Sequence, residues 1–398
     1  MARKNYKPPK KWVKFRHKAI YKLLRGVMAG YFRLKYGLKS TNDQKKVPSP
    51  CIIMCNHQAV MDPFFLSTAF RRPIYFVMSE DLFTLGFTSK LIRWLVEPIP
   101  KSKSKSDINT IRYTLKVLKE GGTVGLFPSG NRTLSGREWK IDVGAAKLVK
   151  MAKVPLALFN LKGGYGADPR WGGSVRKGKV YASTVKVLSA EEIKEMSVEE
   201  LHQEIVNTLD VDDTTIGVKF KSKKSAEYLE RALYYCPNCR SFNTLKSKGR
   251  HLYCTNCELK AEYTEELTFK PISGNVPFDT VREWYDEQAE KLKEKVALDG
   301  GELFSDSVEV RLIENFKRKK LGEGKIIGHN TGVDVCTVKG KAFDVKFSDI
   351  VGCTILGKRK INFYLDDSLT LQIKGSERFN GIKYLYLYQF YKEGQDNE

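Results

Sequence analysis

The chain has no apolar stretch approaching the ~20 residues that a membrane-spanning helix needs. Its N-terminus has basic residues but no apolar core followed by small residues, so no secretory leader is expected. No internal repeat is evident. Acidic residues are scarce where basic ones are dense. Residues 1–50 contain 15 Lys and Arg and a single acid, Asp43, so +14 of the net +23 falls there. That imbalance calls for an anionic partner: nucleic acid, a membrane surface or a phosphorylated substrate. Eight cysteines without a leader suit a reducing compartment, where clustered cysteines hold metal more often than they form disulfides. The expected location is cytoplasmic, peripheral on the inner face of the cell membrane.

What is present is a globular chain. Hydrophobic residues make up 41% of 398, aromatic ones 11%, enough for two or three domains with sizeable cores. From Lys11 to Gly37, Trp12, Phe15, Ile20, Leu23, Leu24, Val27, Met28, Tyr31, Phe32 and Leu34 recur at helical spacing. Lys14, Arg16, Lys18, Lys22, Arg25, Arg33 and Lys35 lie between them. A basic amphipathic helix with aromatics fits a membrane interface bearing anionic lipids. An ordinary surface helix is the alternative, and the large apolar face argues against nucleic acid.

Beyond it, apolar runs at 51–55, 73–78, 123–127, 154–159 and 178–187 alternate with helix-like segments at 89–96, 107–120 and 141–153. That alternation predicts a parallel-rich α/β core with sites at strand ends. At the first strand end stands Asn56-His57-Gln58-Ala59-Val60-Met61-Asp62, followed by Pro63. Asp62 reads as an N-cap with Pro63 at the first helical position. A carboxylate there can reach one His57 ring nitrogen and leave the other free, as proton abstraction from a hydroxyl requires. Lys101, Lys103 and Lys105 punctuate a polar loop before a helix and offer charge and N–H groups to a phosphate, though a solvated charge run reads the same way. The strand 123–127 ends in Pro128-Ser129-Gly130-Asn131-Arg132-Thr133, a glycine-bearing turn whose arginine can clamp an anion bidentately.

Taken together, these segments resemble the glycerophospholipid acyltransferases of the 1-acylglycerol-3-phosphate acyltransferase type. Asn56-His57 with Asp62 is similar to the family's first motif, and Phe127-Pro128-Ser129-Gly130-Asn131-Arg132-Thr133 to its Phe-Pro-Glu-Gly-Thr-Arg-Ser motif. Ile99-Pro100 with Lys101 and Lys103 falls at its basic second motif, and Val154-Pro155-Leu156 at its later strand. The likeness spans roughly residues 10–215. It implies transfer of an acyl group from acyl-CoA or acyl-carrier protein to a lysophospholipid hydroxyl. By resemblance His57 is the general base and Asp62 its orienter. Arg132 and Lys103 hold the acceptor phosphate, with Asn56, Lys101, Ser129, Gly130 and Asn131 also lining the substrate site. Two positions depart from the family: Ser129 replaces its glutamate, and a lysine replaces its second-motif arginine.

The second half is of a different kind. Cys236-Pro237-Asn238-Cys239 and Cys254-Thr255-Asn256-Cys257 are two Cys-x-x-Cys knuckles separated by 14 residues. Four thiolates from two tight turns make a closed tetrahedral zinc site, structural because no coordination position stays open. The segment resembles a zinc ribbon. Helices are expected from capping boxes at Ser189 and Ser197, and another over 279–299. Seven short apolar-alternating segments between 307 and 373, then an aromatic helix over 376–391, resemble a pleckstrin-homology-like module. The expected division is a basic membrane helix at 1–48, the acyltransferase domain at 49–215, the ribbon with its helix at 216–300 and the β-rich domain at 301–398. Two alternatives stay open: a non-catalytic membrane adaptor on this fold, and nucleic-acid binding through Lys246, Lys248 and Arg250 of the ribbon.

Overall fold

The computed structural model describes residues 8–79, 87–101, 108–298, 301–314, 317–366 and 369–396. Two compact units account for them, and each has its own core.

The first unit comprises Met1–Arg170 and Val175–Lys221. It begins with helix α1 (Phe15–Tyr36), the short strand β1 (Lys39–Ser40), β2 (Cys51–Cys55) and α2 (Asp62–Thr68). Next come β3 (Ile74–Ser79), α3 (Phe87–Val96), β4 (Ile99–Lys101), α4 (Ile108–Lys119) and β5 (Thr123–Leu126). The unit closes with α5 (Gly144–Ala152), β6 (Leu156–Lys162), α6 (Gly164–Ala167), β7 (Tyr181–Leu188), α7 (Ala190–Glu195) and α8 (Val198–Leu209). The strands form one sheet of order β1-β7-β6-β2-β5-β3-β4, parallel throughout except where β7 runs against β6. This is the expected parallel-rich mixed sheet with flanking helices. β2, buried along its whole length, has β5 on one side and β6 on the other. The chain leaves β2 toward one edge of the sheet and returns later on the other side, so the carboxyl end of β2 is a switch point where loops converge.

Apolar side chains cover both faces. Ile52, Met54, Tyr75, Val117, Val124, Val149, Leu158, Leu201 and Ile205 build one core layer, into which Trp12 also inserts. On the opposite side Phe32 and Tyr36 of α1 meet Phe65 of α2 edge-on, both at 5.1 Å. Arg25 donates twice to the Thr68 carbonyl, at 3.0 and 2.7 Å, which ties α1 to α2. His17 and Tyr21 are buried on the same side, but the other face of α1 is not packed on this unit: Phe15, Leu23, Val27 and Leu34 are 84, 75, 71 and 89% exposed. No helix among the described residues is long and apolar enough to cross a membrane.

The second unit comprises Trp171–Ser174 and Ser222–Glu398. It opens with a four-stranded antiparallel sheet: β8 (Leu245–Lys248), β9 (His251–Cys254), β10 (Lys260–Tyr263) and β11 (Phe269–Ser273). Helix α9 (Val281–Leu298) follows, and it buries Trp284, whose indole N–H donates to the Tyr235 carbonyl at 2.8 Å. The β-rich region holds β12 (Phe304–Glu314), β13 (Lys317–Gly328), β14 (Gly332–Thr337), β15 (Ala342–Lys346), β16 (Gly352–Leu356), β17 (Lys360–Tyr364) and β18 (Leu369–Gly375). They make one seven-stranded sheet, order β15-β14-β13-β12-β18-β17-β16, closed by α10 (Ile382–Asp396). α10 starts later than the sequence implied, because Asn380 caps it, accepting from Ile382 N at 3.0 Å and Lys383 N at 3.3 Å.

Candidate active site

β2 delivers Asn56 and His57 to the carboxyl edge of the sheet. Asn56 is buried, and its amide bridges to the next strand: Nδ2 donates to the Leu161 carbonyl and Oδ1 accepts from Leu161 N, both at 2.8 Å. Both ends of this side chain, a candidate for the substrate site, bond to backbone and fix the strand end from which His57 emerges.

His57 Nδ1 lies 2.8 Å from Asp62 Oδ2. The same oxygen accepts the backbone N–H groups of Gln58 at 2.6 Å and Ala59 at 2.8 Å. Asp62 is not the helix cap the sequence implied. It is the first residue of α2, after Met61 at the cap position, and its carboxylate turns back over the preceding turn. The reason is local: three N–H donors converge there, and a buried carboxylate seeks donors before anything else. Gln58 extends the support. Its Oε1 accepts from Gly164 N at 2.9 Å, and its Nε2 donates to Asp213 Oδ1 at 3.2 Å. Asp213 also takes Gly163 N at 2.6 Å and Gly166 N at 3.0 Å. Burial pushes its carboxyl up to about 6 against those hydrogen bonds.

The His57 ring stacks on Phe127 at 4.3 Å, and Phe127 in turn stacks on Phe76. Its side chain keeps 19% exposure, so a face remains accessible. Burial lowers its pKa, the Asp62 bond opposes that, and the charges of Arg132 and Arg170 lower it further. The ring is therefore neutral near pH 7, as a base must be.

Arg132 sits in the same site. Burial lowers its pKa, while Asp62 and Asp168 raise it; a guanidinium stays charged through such a shift. Its loop is pinned by three bonds: Thr133 N donates to the His57 carbonyl at 2.9 Å, and the Arg132 carbonyl accepts from Trp139 Nε1 at 3.0 Å and Arg170 Nη1 at 2.9 Å. Gly130 has a φ of 72°, which only glycine adopts without strain. A Cβ there would lie 4.0 Å from Lys101 Nζ, so Lys101 of β4 reaches this loop. Ser129 Oγ is 3.3 Å from the Asn131 carbonyl, which folds the turn on itself. Lys103 lies outside the described residues.

Glu138, Arg170, Gln58 and Asp213 escaped the sequence reading. Arg170 had a usable signal: it follows a glycine-rich turn after a strand, as Arg132 does. Glu138 had none.

In the second unit the four expected cysteines come together, with all Sγ atoms within 4.8 Å of one another. Cys236 and Cys257 are 3.7 Å apart, as are Cys239 and Cys254. A tetrahedron with metal–sulfur bonds of about 2.3 Å has edges of about 3.8 Å, so the spacing fits. The Asn256 N–H reaches Cys254 Sγ at 3.3 Å, the kind of donor a thiolate accepts.

Part of the chain is similar to known proteins. The acyltransferase family profile matches residues 38–158. A 1-acyl-sn-glycerol-3-phosphate acyltransferase of Bacillus subtilis is 26% identical over 139 residues, covering 34% of this chain and 68% of its own. A probable 1-acyl-sn-glycerol-3-phosphate acyltransferase of Mycoplasma genitalium is 27% identical over 171 residues, covering 41% of this chain and 59% of its own. The crystal structure of a 1-acyl-sn-glycerophosphate acyltransferase from Thermotoga maritima superimposes with a TM-score of 0.42 at 19% identity, over 48% of this chain and 78% of that one. The chain thus spans about two thirds or less of the two curated relatives, and the family profile ends at residue 158.

Proposed function

We propose that this chain, whose residues 38–158 match the acyltransferase family profile, is an O-acyltransferase of the 1-acylglycerol-3-phosphate acyltransferase type that acylates a lysophospholipid in phospholipid synthesis, with 1-acylglycerol-3-phosphate as acceptor. The observation that carries the reading is the His57–Asp62 pair at 2.8 Å with the half-buried Arg132 beside it. His57 Nε2 takes the acceptor hydroxyl proton as that oxygen attacks the thioester carbonyl of acyl-CoA or acyl-carrier protein. The carbon–sulfur bond then breaks, and the departing thiolate receives the proton from the imidazolium. A positioned base of this kind contributes ~10²–10⁴-fold. Arg132 faces the acceptor phosphate, with Lys101 and Lys103 adding charge at the rim, and burial strengthens that pairing.

The exposed apolar side chains of α1, with Arg16, Lys18, Lys22, Arg33 and Lys35 around them, support a helix that lies in an anionic membrane surface, where such an acceptor resides. Peripheral attachment at the inner face of the cell membrane follows from this reading. The Cys236, Cys239, Cys254 and Cys257 set would hold a structural zinc ion, whose chemistry is to tie two turns together rather than to react. The strand order of the β-rich region and its closing helix support a pleckstrin-homology-like module, and the fold alone names no ligand for it. The direct experiment is acyl transfer by wild-type and His57→Ala protein, offered lysophosphatidic acid or the same acceptor without its phosphate.

A further inference from the structure

The family resemblance predicts a carboxylate at position 129, where this chain has serine. The structure brings a carboxylate to that place from further along the same loop. Glu138 Oε2 accepts the His57 backbone N–H at 2.9 Å. The Ser129 hydroxyl is a hydrogen-bonding neighbour of the same carboxyl. On its other side, the His57 carbonyl takes the Thr133 N–H at 2.9 Å. Both peptide groups of His57 are thus clamped by the loop that carries Arg132, once through backbone and once through Glu138. The second oxygen, Oε1, is shielded from water and makes no hydrogen bond. Leaving a buried acceptor unpaired is costly, so packing alone does not account for a glutamate here.

We infer that Glu138 is a positioning residue that locks the Arg132 loop onto His57, supplying from outside the motif the carboxyl group that position 129 lacks. It thereby sets the distance between the base and the acceptor phosphate, an inference that rests on the acyl-transfer reading. The surroundings support it. Burial pushes the Glu138 carboxyl up to about 8, and its charged neighbours Asp62 and Asp210, from α2 and the end of α8, push the same way. The Ser129 hydroxyl and His57 N–H are the groups that oppose them. A second carboxyl placed beside Glu138 would meet the same burial and the same acidic neighbours, so the site disfavours two.

That exclusivity makes the test specific. Ser129→Glu forces a second carboxyl against Glu138, and Glu138→Leu removes the clamp. Each single change should lower kcat roughly 10- to 100-fold, the scale of a misplaced catalytic group, with KM for the thioester little changed. The double variant should recover to within a few-fold of wild type, because the two sites act on one pocket. If instead the two losses multiply while melting temperature and metal content stay normal, the inference falls. A second measurement needs no turnover. Selective ¹⁵N-histidine labelling gives five amide signals, with that of His57 assigned by its loss in His57→Ala. That amide should titrate with Glu138 in wild type and stop doing so in Glu138→Gln. A His57 amide with the same pH profile in both proteins refutes the clamp. Titration as expected without acyl transfer would sustain the clamp and refute the enzyme reading instead.

Discussion

Asp62→Asn separates orientation of His57 from its mere presence. Asp62 Oδ2 takes three N–H donors at 2.8, 2.6 and 2.8 Å. Hydrogen bonds to a charged acceptor contribute about 1.5–3 kcal/mol each, against about 1 kcal/mol for neutral ones. Turning the carboxylate into an amide therefore weakens the trio by roughly 2–5 kcal/mol. The amide NH₂ must also occupy the place of Oδ1, which is buried without a hydrogen-bond partner. Part of this falls on the backbone of Gln58 and Ala59 and lowers stability. On His57 the weakening of its own bond is joined by a separate loss, that of the charge that stabilises the imidazolium, and the two together come to about 3–5 kcal/mol in the transition state. At about 1.4 kcal/mol per tenfold, kcat should fall roughly 10²–10⁴-fold. The pH profile carries the sign. Asp62 is what raises the His57 pKa, while burial, Arg132 and Arg170 lower it. Without Asp62 the acid limb of kcat/KM moves to lower pH as the plateau drops. Product should be counted by mass spectrometry, because eight protein cysteines would react with thiol reagents. A variant within a few-fold of wild type, or an acid limb moved to higher pH, would refute this account of the pair.

Two further outcomes are expected. Purified protein should carry ~1 zinc per chain by plasma mass spectrometry, and Cys239→Ser should lose it together with the cooperative melting of the second unit; full metal retention would count against the four-cysteine site. Leu23→Glu and Val27→Glu should each weaken binding to anionic vesicles roughly 10-fold or more, since each removes about 1.5–3 kcal/mol of buried apolar side chain. Both residues are over 70% exposed, so melting should be unaffected, and unchanged vesicle binding would remove the membrane role from α1.

Local features were legible and long-range ones were not. The spacing of His57 and Asp62 announced the pair, because both belong to one strand-to-helix turn. The same turn misled about the cap: Asp62 before proline looks like a start signal, and only the backbone shows that it opens the helix and turns back. Cys236, Cys239, Cys254 and Cys257 were readable because thiolate chemistry fixes their spacing. The strands of the ribbon sheet were not, since β8 to β10 span four residues each with no sustained alternation. β13 begins at Lys317-Arg318-Lys319-Lys320, a charge run without apolar alternation that nonetheless pairs with Arg311–Glu314 of β12. Glu138 reaches His57 across 81 residues and Asp213 reaches Gln58 across 155. No periodicity or motif encodes such contacts; only the converging strand ends of the sheet create them.

The central claim is that His57 acts as the base in acyl transfer to a phosphorylated acceptor, and one assay addresses it directly. Full-length protein is given an acyl thioester with lysophosphatidic acid, and diacyl product is quantified by mass spectrometry for wild type and His57→Ala. The account predicts product with wild type, loss of at least ~10²-fold in His57→Ala, and unchanged melting and zinc content. Wild-type protein that is folded and zinc-loaded yet forms no product with either carrier would contradict it, as would a His57→Ala variant that works as well as wild type.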